Sequence, residues 1–141
     1  MDFALEVVTL AVRDVDEAKA FYTEKLGFTL DVDYHPRDGF RVVQVTPPGS
    51  ACSIQFGDGL TDAAPGSARA NYLVVADLAA THKELVARGI KVSDLRHKSP
   101  VDTWDGGFAP GVDPERRSYA SLADFADPDG NTWILQEIKR P

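Results

Sequence analysis

Positive charge is in short supply in this chain of 141 residues, with 15 Lys and Arg against 22 Asp and Glu. The net charge of −7 argues against nucleic acid or an anionic membrane as partner, since both select basic patches. Cysteine is nearly absent too. Cys52 alone closes no internal disulfide, which points to a reducing, cytoplasmic setting. It sits in the apolar run ACSIQF and reads as a small buried residue rather than a nucleophile. No apolar run approaches the about 20 residues of a membrane-spanning helix. The N-terminal stretch MDFALEV lacks the basic and apolar regions of a signal peptide.

What the chain does have is a balanced composition, 43% hydrophobic and 26% charged, and a length that suits one domain with a real core. It also repeats itself. VTLAVRDVDEAKAFYTEKLGFTL from Val8 and ANYLVVADLAATHKELVARGIKV from Ala70 share one plan. Each has an alternating apolar run, then an Asp (Asp14, Asp77) placed to cap a helix. An amphipathic stretch comes next and ends in Gly27 or Gly89, the usual helix C-terminal residue. Ala18, Phe21, Tyr22 and Leu26 share one helical face, as do Leu78, Thr81, Leu85 and Val86. The first copy continues with GFTLDVDY, FRVVQVT and ACSIQF, the second with GIKVSDL, SYASLADFA and NTWILQEI. The chain therefore reads as βαβββ twice, with module 1 over about residues 4–57 and module 2 over about 68–139 of a single 1–141 domain.

The last two strands are joined by DPDG, Asp127 to Gly130. Asp127, Asp129 and Asn131 mimic the start of an EF-hand, but that loop needs Gly sixth and Glu twelfth, where Thr132 and Ile138 stand. Asp at the first position, Pro at the second and Gly at the fourth are instead the preferences of a type I turn.

This arrangement, with VRDVDEAKAFYTEKLGF and DFADPDGNTWILQE as its most specific parts, resembles the vicinal oxygen chelate superfamily of glyoxalase I, bleomycin-resistance proteins, fosfomycin-resistance enzymes and extradiol dioxygenases. The resemblance spans Val7 to Glu137. It implies an α+β fold in which two tandem βαβββ modules form open curved sheets around a cavity, with helices on the outer faces. It also implies a homodimer, since members pair modules across an interface. Metal-dependent members hold a divalent ion with His or Gln on the first strand, Glu on the fourth, His on the fifth and Glu on the eighth. Counted from Asp14, Asp77 and Gly130, three of those positions are Val7, Ala70 and Ile134, and Gln55 takes the fourth. Three hydrocarbons and an amide do not hold a transition metal against water. The reading is no metal and no cofactor.

Side chains alternate along a strand, so an inward Val7 brings Thr9 and Ala11 with it. The fifth strand then offers Ala70, Tyr72 and Val74 to the cavity, the seventh Ser118, Ala120, Leu122 and Asp124, and the eighth Thr132, Ile134 and Gln136. Phe125 and Trp133 fall on the helix-covered face. Asp124 is an acid within LADFA, costly unless paired, hydrogen-bonded or protonated. Either it pairs with Arg41 or Arg117, or it orients a ligand or acts as a general base. The candidate ligand-binding residues are Val7, Thr9, Arg41, Gln55, Tyr72, Val74, Trp104, Leu122, Asp124, Ile134 and Gln136. The histidines read as surface or loop residues, His82 on the second helix, His35 after a strand and His97 opening a long loop.

That loop, 97–117, carries three prolines, three glycines, Trp104 and Phe108. Its length and exposed aromatics suggest a lid or a dimer contact. Two functions fit. One is binding a small, largely apolar or aromatic molecule without metal, as bleomycin-resistance members do. The other is a metal-independent lyase, isomerase or hydrolase with Asp124 as catalytic base and Tyr72 or His97 as acid.

Overall fold

Both helices begin where the sequence places a capping aspartate. The carboxylate of Asp14 accepts from the Glu17 N–H at 3.0 Å ahead of α1 (Val15–Ala20), and that of Asp77 accepts from the Ala80 N–H at 3.0 Å ahead of α2 (Leu78–Ala87). A computed structural model describes residues 1–139 of the chain. Its strands are β1 (Val7–Thr9), β2 (Thr29–Arg37), β3 (Phe40–Thr46), β4 (Ser53–Asp58), β5 (Asn71–Val75), β6 (Arg96–Ser99), β7 (Gly107–Pro110), β8 (Ser121–Ala126) and β9 (Thr132–Glu137). α1 runs on into one π-helical turn over Phe21–Lys25.

The fold is α+β, with one sheet ordered β1-β4-β3-β2 and another ordered β5-β9-β8-β6-β7. In each, the strand before the helix runs parallel to the last strand of its module, β1 with β4 and β5 with β9. The remaining neighbours are antiparallel. The repeat is thus real, and β7 is an addition to the second copy.

The region 97–117 is not one irregular loop. As far as Pro110 it is a β6–β7 hairpin, with Lys98 opposite Phe108 and Ser99 opposite Gly107. Nor is GIKVSDL a strand, since within it only Val92 makes a bridge, to Phe125. The strand starts at Arg96. RHKS has no apolar alternation to betray it, and Pro110 is tolerated because β7 lies at a sheet edge.

The chain divides into two units, Met1–Ala68 with Asp127–Asn131, and Arg69–Ala126 with the chain from Thr132 onward. In the first, Tyr22 and Phe56 are fully buried together with Val43 and Val45, the Tyr22 and Phe56 rings lying 5.5 Å apart. The turn between β8 and β9 belongs to this unit. It is a tight turn, closed by Gly130 N–H to Asp127 O at 3.0 Å. It is also a buried clasp: Oδ2 of Asp127 accepts from the Tyr22 hydroxyl at 2.7 Å and from Asn131 Nδ2 at 2.8 Å. Oδ1 accepts from the N–H groups of Asp129 and Asn131, each at 2.9 Å. Asn131 Nδ2 also donates to Ala11 O at 3.1 Å. The linker approaches so closely that a Cβ on Gly66 would stand 2.0 Å from Asp129 O, and its φ of +77° favours glycine as well.

The second unit packs α2 on β8 and β9, burying Leu78, Leu85, Phe125, Trp133 and Leu135. Val86, expected on that helical face, is exposed, because Leu78 and Leu85 alone form the narrow buried stripe of α2. Glu137, buried in this unit, accepts from the Leu78 N–H at 2.8 Å and from Arg116 Nε at 2.7 Å. Arg116 holds its carboxyl below the usual range. A buried carboxylate is stable here because both its oxygens are matched.

Candidate functional site

Paired residues on neighbouring strands share a sheet face, so register decides which side chains meet. In the second unit Tyr72 stands opposite Ile134 and Ile134 opposite Asp124. One step along, Val74 is opposite Gln136, Gln136 opposite Leu122 and Leu122 opposite Arg96. These residues occupy the face away from α2, while Phe125 and Trp133 are buried on the other, as strand parity predicts. Tyr72 is 54% exposed and Val74 42%. Leu122 and Gln136 are instead covered, with Gln136 Nε2 donating to Tyr119 O at 3.0 Å. Ala70 precedes β5 in an exposed, left-handed conformation, φ 58°.

Asp124 has a partner, but neither of the two expected. Arg96 clamps both its oxygens, Nη1 to Oδ2 at 2.8 Å and Nη2 to Oδ1 at 3.2 Å. Arg41 and Arg117 are engaged elsewhere. Arg117 pairs bidentately with the buried Asp113 at 2.8 Å and holds that carboxyl far below its usual range. The Arg96 guanidinium also lies over the Phe108 ring, 5.0 Å from its centroid. At the hairpin tip the Lys98 ammonium sits 4.0 Å from the Trp104 ring centroid. Such cation–π contacts are worth about 0.5–1 kcal/mol at exposed sites, and Trp104 is 87% exposed.

His97 does not join Tyr72 and Asp124. It is paired with Ser121, which places it on the opposite face from Arg96, and its Nδ1 is within 2.8 Å of Gly111 O. His82 is not simply solvated either, since its Nε2 lies 2.9 Å from Ser93 O.

In the first unit, register lines up Thr9, Gln55, Gln44 and Val32 across β1, β4, β3 and β2, with Val42 and Tyr34 one step along. Gln55 Nε2 donates to Thr9 Oγ1 at 2.9 Å. Ile54 and Phe56, buried, take the other face. Val7 stands opposite Ser53 at the start of β1. Arg41 is a correction. It shares parity with the buried Val43, so it belongs to the helix side, where its Nε and Nη2 bind Asp33 at 3.0 and 2.9 Å and its Nη1 binds Asp16 at 2.7 Å. With Lys19 also 2.8 Å from Asp33, the Asp33 carboxyl is driven far below its ordinary range, by Arg41 first. The alternation of FRVVQVT carries this placement, and it equally marks Gln44 and Val42 as open-face residues. Arg96 and Phe108, by contrast, have no such signal.

Val7, Gln55, Ala70 and Ile134, which the resemblance matches to the ligand positions of metal-dependent members, offer one amide and no imidazole or carboxylate. Among the described residues no group of three or more His, Cys, Asp or Glu is placed to bind a metal ion. Two depressions lie mostly off the open faces, although Lys98 lines the second. One of about 620 Å³ beside the start of α1 is walled by Asp14, Asp16, Glu17, Arg41 and Asp58. Another of about 530 Å³, between His97, Pro100 and Arg117, is equally polar. Such charged, solvated walls suit water better than an organic ligand. No helix among the described residues is long and apolar enough to cross a membrane.

The family model described as Glyoxalase/Bleomycin resistance protein/Dioxygenase superfamily matches residues 4–135. The chain belongs to this superfamily. Among solved structures it is similar to TnmS3, an antibiotic binding protein from Streptomyces sp. CB03234, at 29% identity and a TM-score of 0.73 over 98% of each chain. It is similar to a glyoxalase/bleomycin resistance protein from the same Streptomyces strain at 30% identity and a TM-score of 0.69, over 94% of this chain and 99% of that one. A superfamily member from Sphaerobacter thermophilus DSM 20745 shares 25% identity, with a TM-score of 0.71 over 96% and 98% of the two chains. No curated protein matches. Superfamily members with bound metal use an imidazole and carboxylate set, and this member's hydrocarbon side chains at three of those positions do not fit one.

Proposed function

We propose that this superfamily member binds a small, largely apolar or aromatic molecule without a metal, on the open face of its second sheet. The observation that carries the reading is the exposure of Tyr72, Val74 and Phe108 on one face of a sheet whose other face is buried under α2. Exposed apolar surface of this kind marks a binding face, and ligand sites combine such walls with a few polar groups that fix orientation. Asp124 and Arg96 supply those groups. Similarity to an antibiotic binding protein supports binding rather than turnover. The enzymatic alternative draws no support from the geometry, because Arg96 occupies both oxygens of Asp124 and His97 lies across the sheet.

The functional unit on this reading is a homodimer, in which a second copy covers apolar side chains that one chain leaves in water, and its setting is the reducing cytoplasm, consistent with the free thiol of Cys52. Native mass spectrometry of protein purified from its own host tests the function. A carried-over aromatic or apolar small molecule, lost on Tyr72→Ala, supports the reading. Turnover of such a molecule, abolished by Asp124→Asn with affinity retained, would replace it with the enzymatic one.

A further inference from the structure

The β6–β7 hairpin carries an imbalance of charge that narrows the ligand class. Arg96 and Asp124 neutralise each other through two hydrogen bonds, and the flat guanidinium is left against Phe108. Lys98 lies two residues on and, being opposite Phe108 in register, on the same face. No carboxylate among the described residues lies within salt-bridge distance of its ammonium, although Asp102 and Asp105 stand nearby in the sequence of the hairpin tip. Its one described partner is the indole face of Trp104. In a chain of net charge −7, an unmatched cation beside two exposed aromatic rings is a local exception to the overall field.

Resting on the proposed binding face, we infer that its ligand is a planar aromatic molecule bearing an anionic group such as a carboxylate or sulfonate. The ring stacks on the hairpin aromatics, and the anion meets the Lys98 ammonium, which keeps N–H donors on the side away from the indole. A cationic aromatic would be repelled by Lys98, and a neutral one would leave its charge unanswered.

The test uses two fluorescent probes that differ by one group, 8-anilinonaphthalene-1-sulfonate and its uncharged parent N-phenyl-1-naphthylamine, titrated into the full chain. The expected result is that Lys98→Met weakens the sulfonated probe by about fivefold or more and leaves the uncharged probe within about twofold. Lys98→Arg should keep the parent's ratio of the two Kd values. Unchanged affinity of the uncharged probe also shows that the variant is folded. A ratio unmoved by Lys98→Met would overturn the inference while leaving the apolar binding face standing. Failure of both probes to bind the parent protein would overturn the inference and the proposed function together.

Discussion

The Tyr22 hydroxyl donates a 2.7 Å hydrogen bond to Oδ2 of Asp127, 105 residues further along the chain, and both groups are buried. Tyr22→Phe removes one of the four donors that satisfy this carboxylate. It should therefore lower stability by about 1–3 kcal/mol, read as a lower urea midpoint with unchanged slope. Asp127→Ala orphans all four and should cost more. Equal urea midpoints for parent and Tyr22→Phe would show that the clasp contributes nothing.

Trp104 and Trp133 report on different places. Trp104 is 87% exposed and Trp133 3%, so iodide should quench one tryptophan population and spare the other, and Trp104→Phe should remove the quenchable one. Binding of an aromatic ligand should shift or quench Trp104 emission. The same variant should lose that change, with affinity lower by about 1–3 kcal/mol if the indole touches the ligand. A variant that binds as tightly as the parent, with the same spectral response, would move Trp104 from the ligand to the dimer interface.

Acid should unfold the protein through identifiable groups. Arg116 depresses Glu137, Arg41 with Lys19 depresses Asp33, and Arg117 depresses Asp113. Since each folded carboxyl binds its proton less readily than the unfolded one, the stabilisation is whole above about pH 5. It is lost as pH falls through the unfolded values near about 4 and on towards the folded ones. The urea midpoint should hold from pH 7 to 5 and drop by pH 3, and Glu137→Gln should shallow the drop. A midpoint that rises on acidification would contradict the sign.

Elemental analysis after gentle purification should find no stoichiometric Zn, Ni, Mn or Fe, because Val7, Gln55, Ala70 and Ile134 offer one amide and no imidazole or carboxylate. About one such metal per chain would mean a ligand set other than the family's.

Light scattering at micromolar concentration should give about twice the chain mass of 15.3 kDa, as expected where open sheet edges and faces are covered by a second copy. A monomer mass would leave Tyr34, Tyr72 and Phe108 to be covered by ligand alone.

The repeat, both helix caps and the sheet faces were legible in the sequence because each obeys a local rule. Asp14 and Asp77 cap the helices that begin one residue later, and Phe125 and Trp133 are buried by alternation. The β6–β7 hairpin was not legible. Arg-His-Lys-Ser carries no apolar period, and its pairing partner lies across the seven-residue tip PVDTWDG. The partner of Asp124 was hidden for the same reason, since Arg96 becomes a neighbour only once β6 pairs with β8. Arg41 lies on the helix side because the alternation of FRVVQVT gives it the parity of Val43.

That the first unit includes Asp127–Asn131 has a consequence during synthesis. At about 5–20 residues per second, the ribosome needs on the order of 5–20 s to add the 105 residues separating Tyr22 from its acceptor. Through that interval the nascent N-terminal half has a phenol without its native acceptor, and the turn segment that completes its unit does not yet exist. The first unit of this tandem repeat therefore gains its last native contacts only after most of the second has been synthesised.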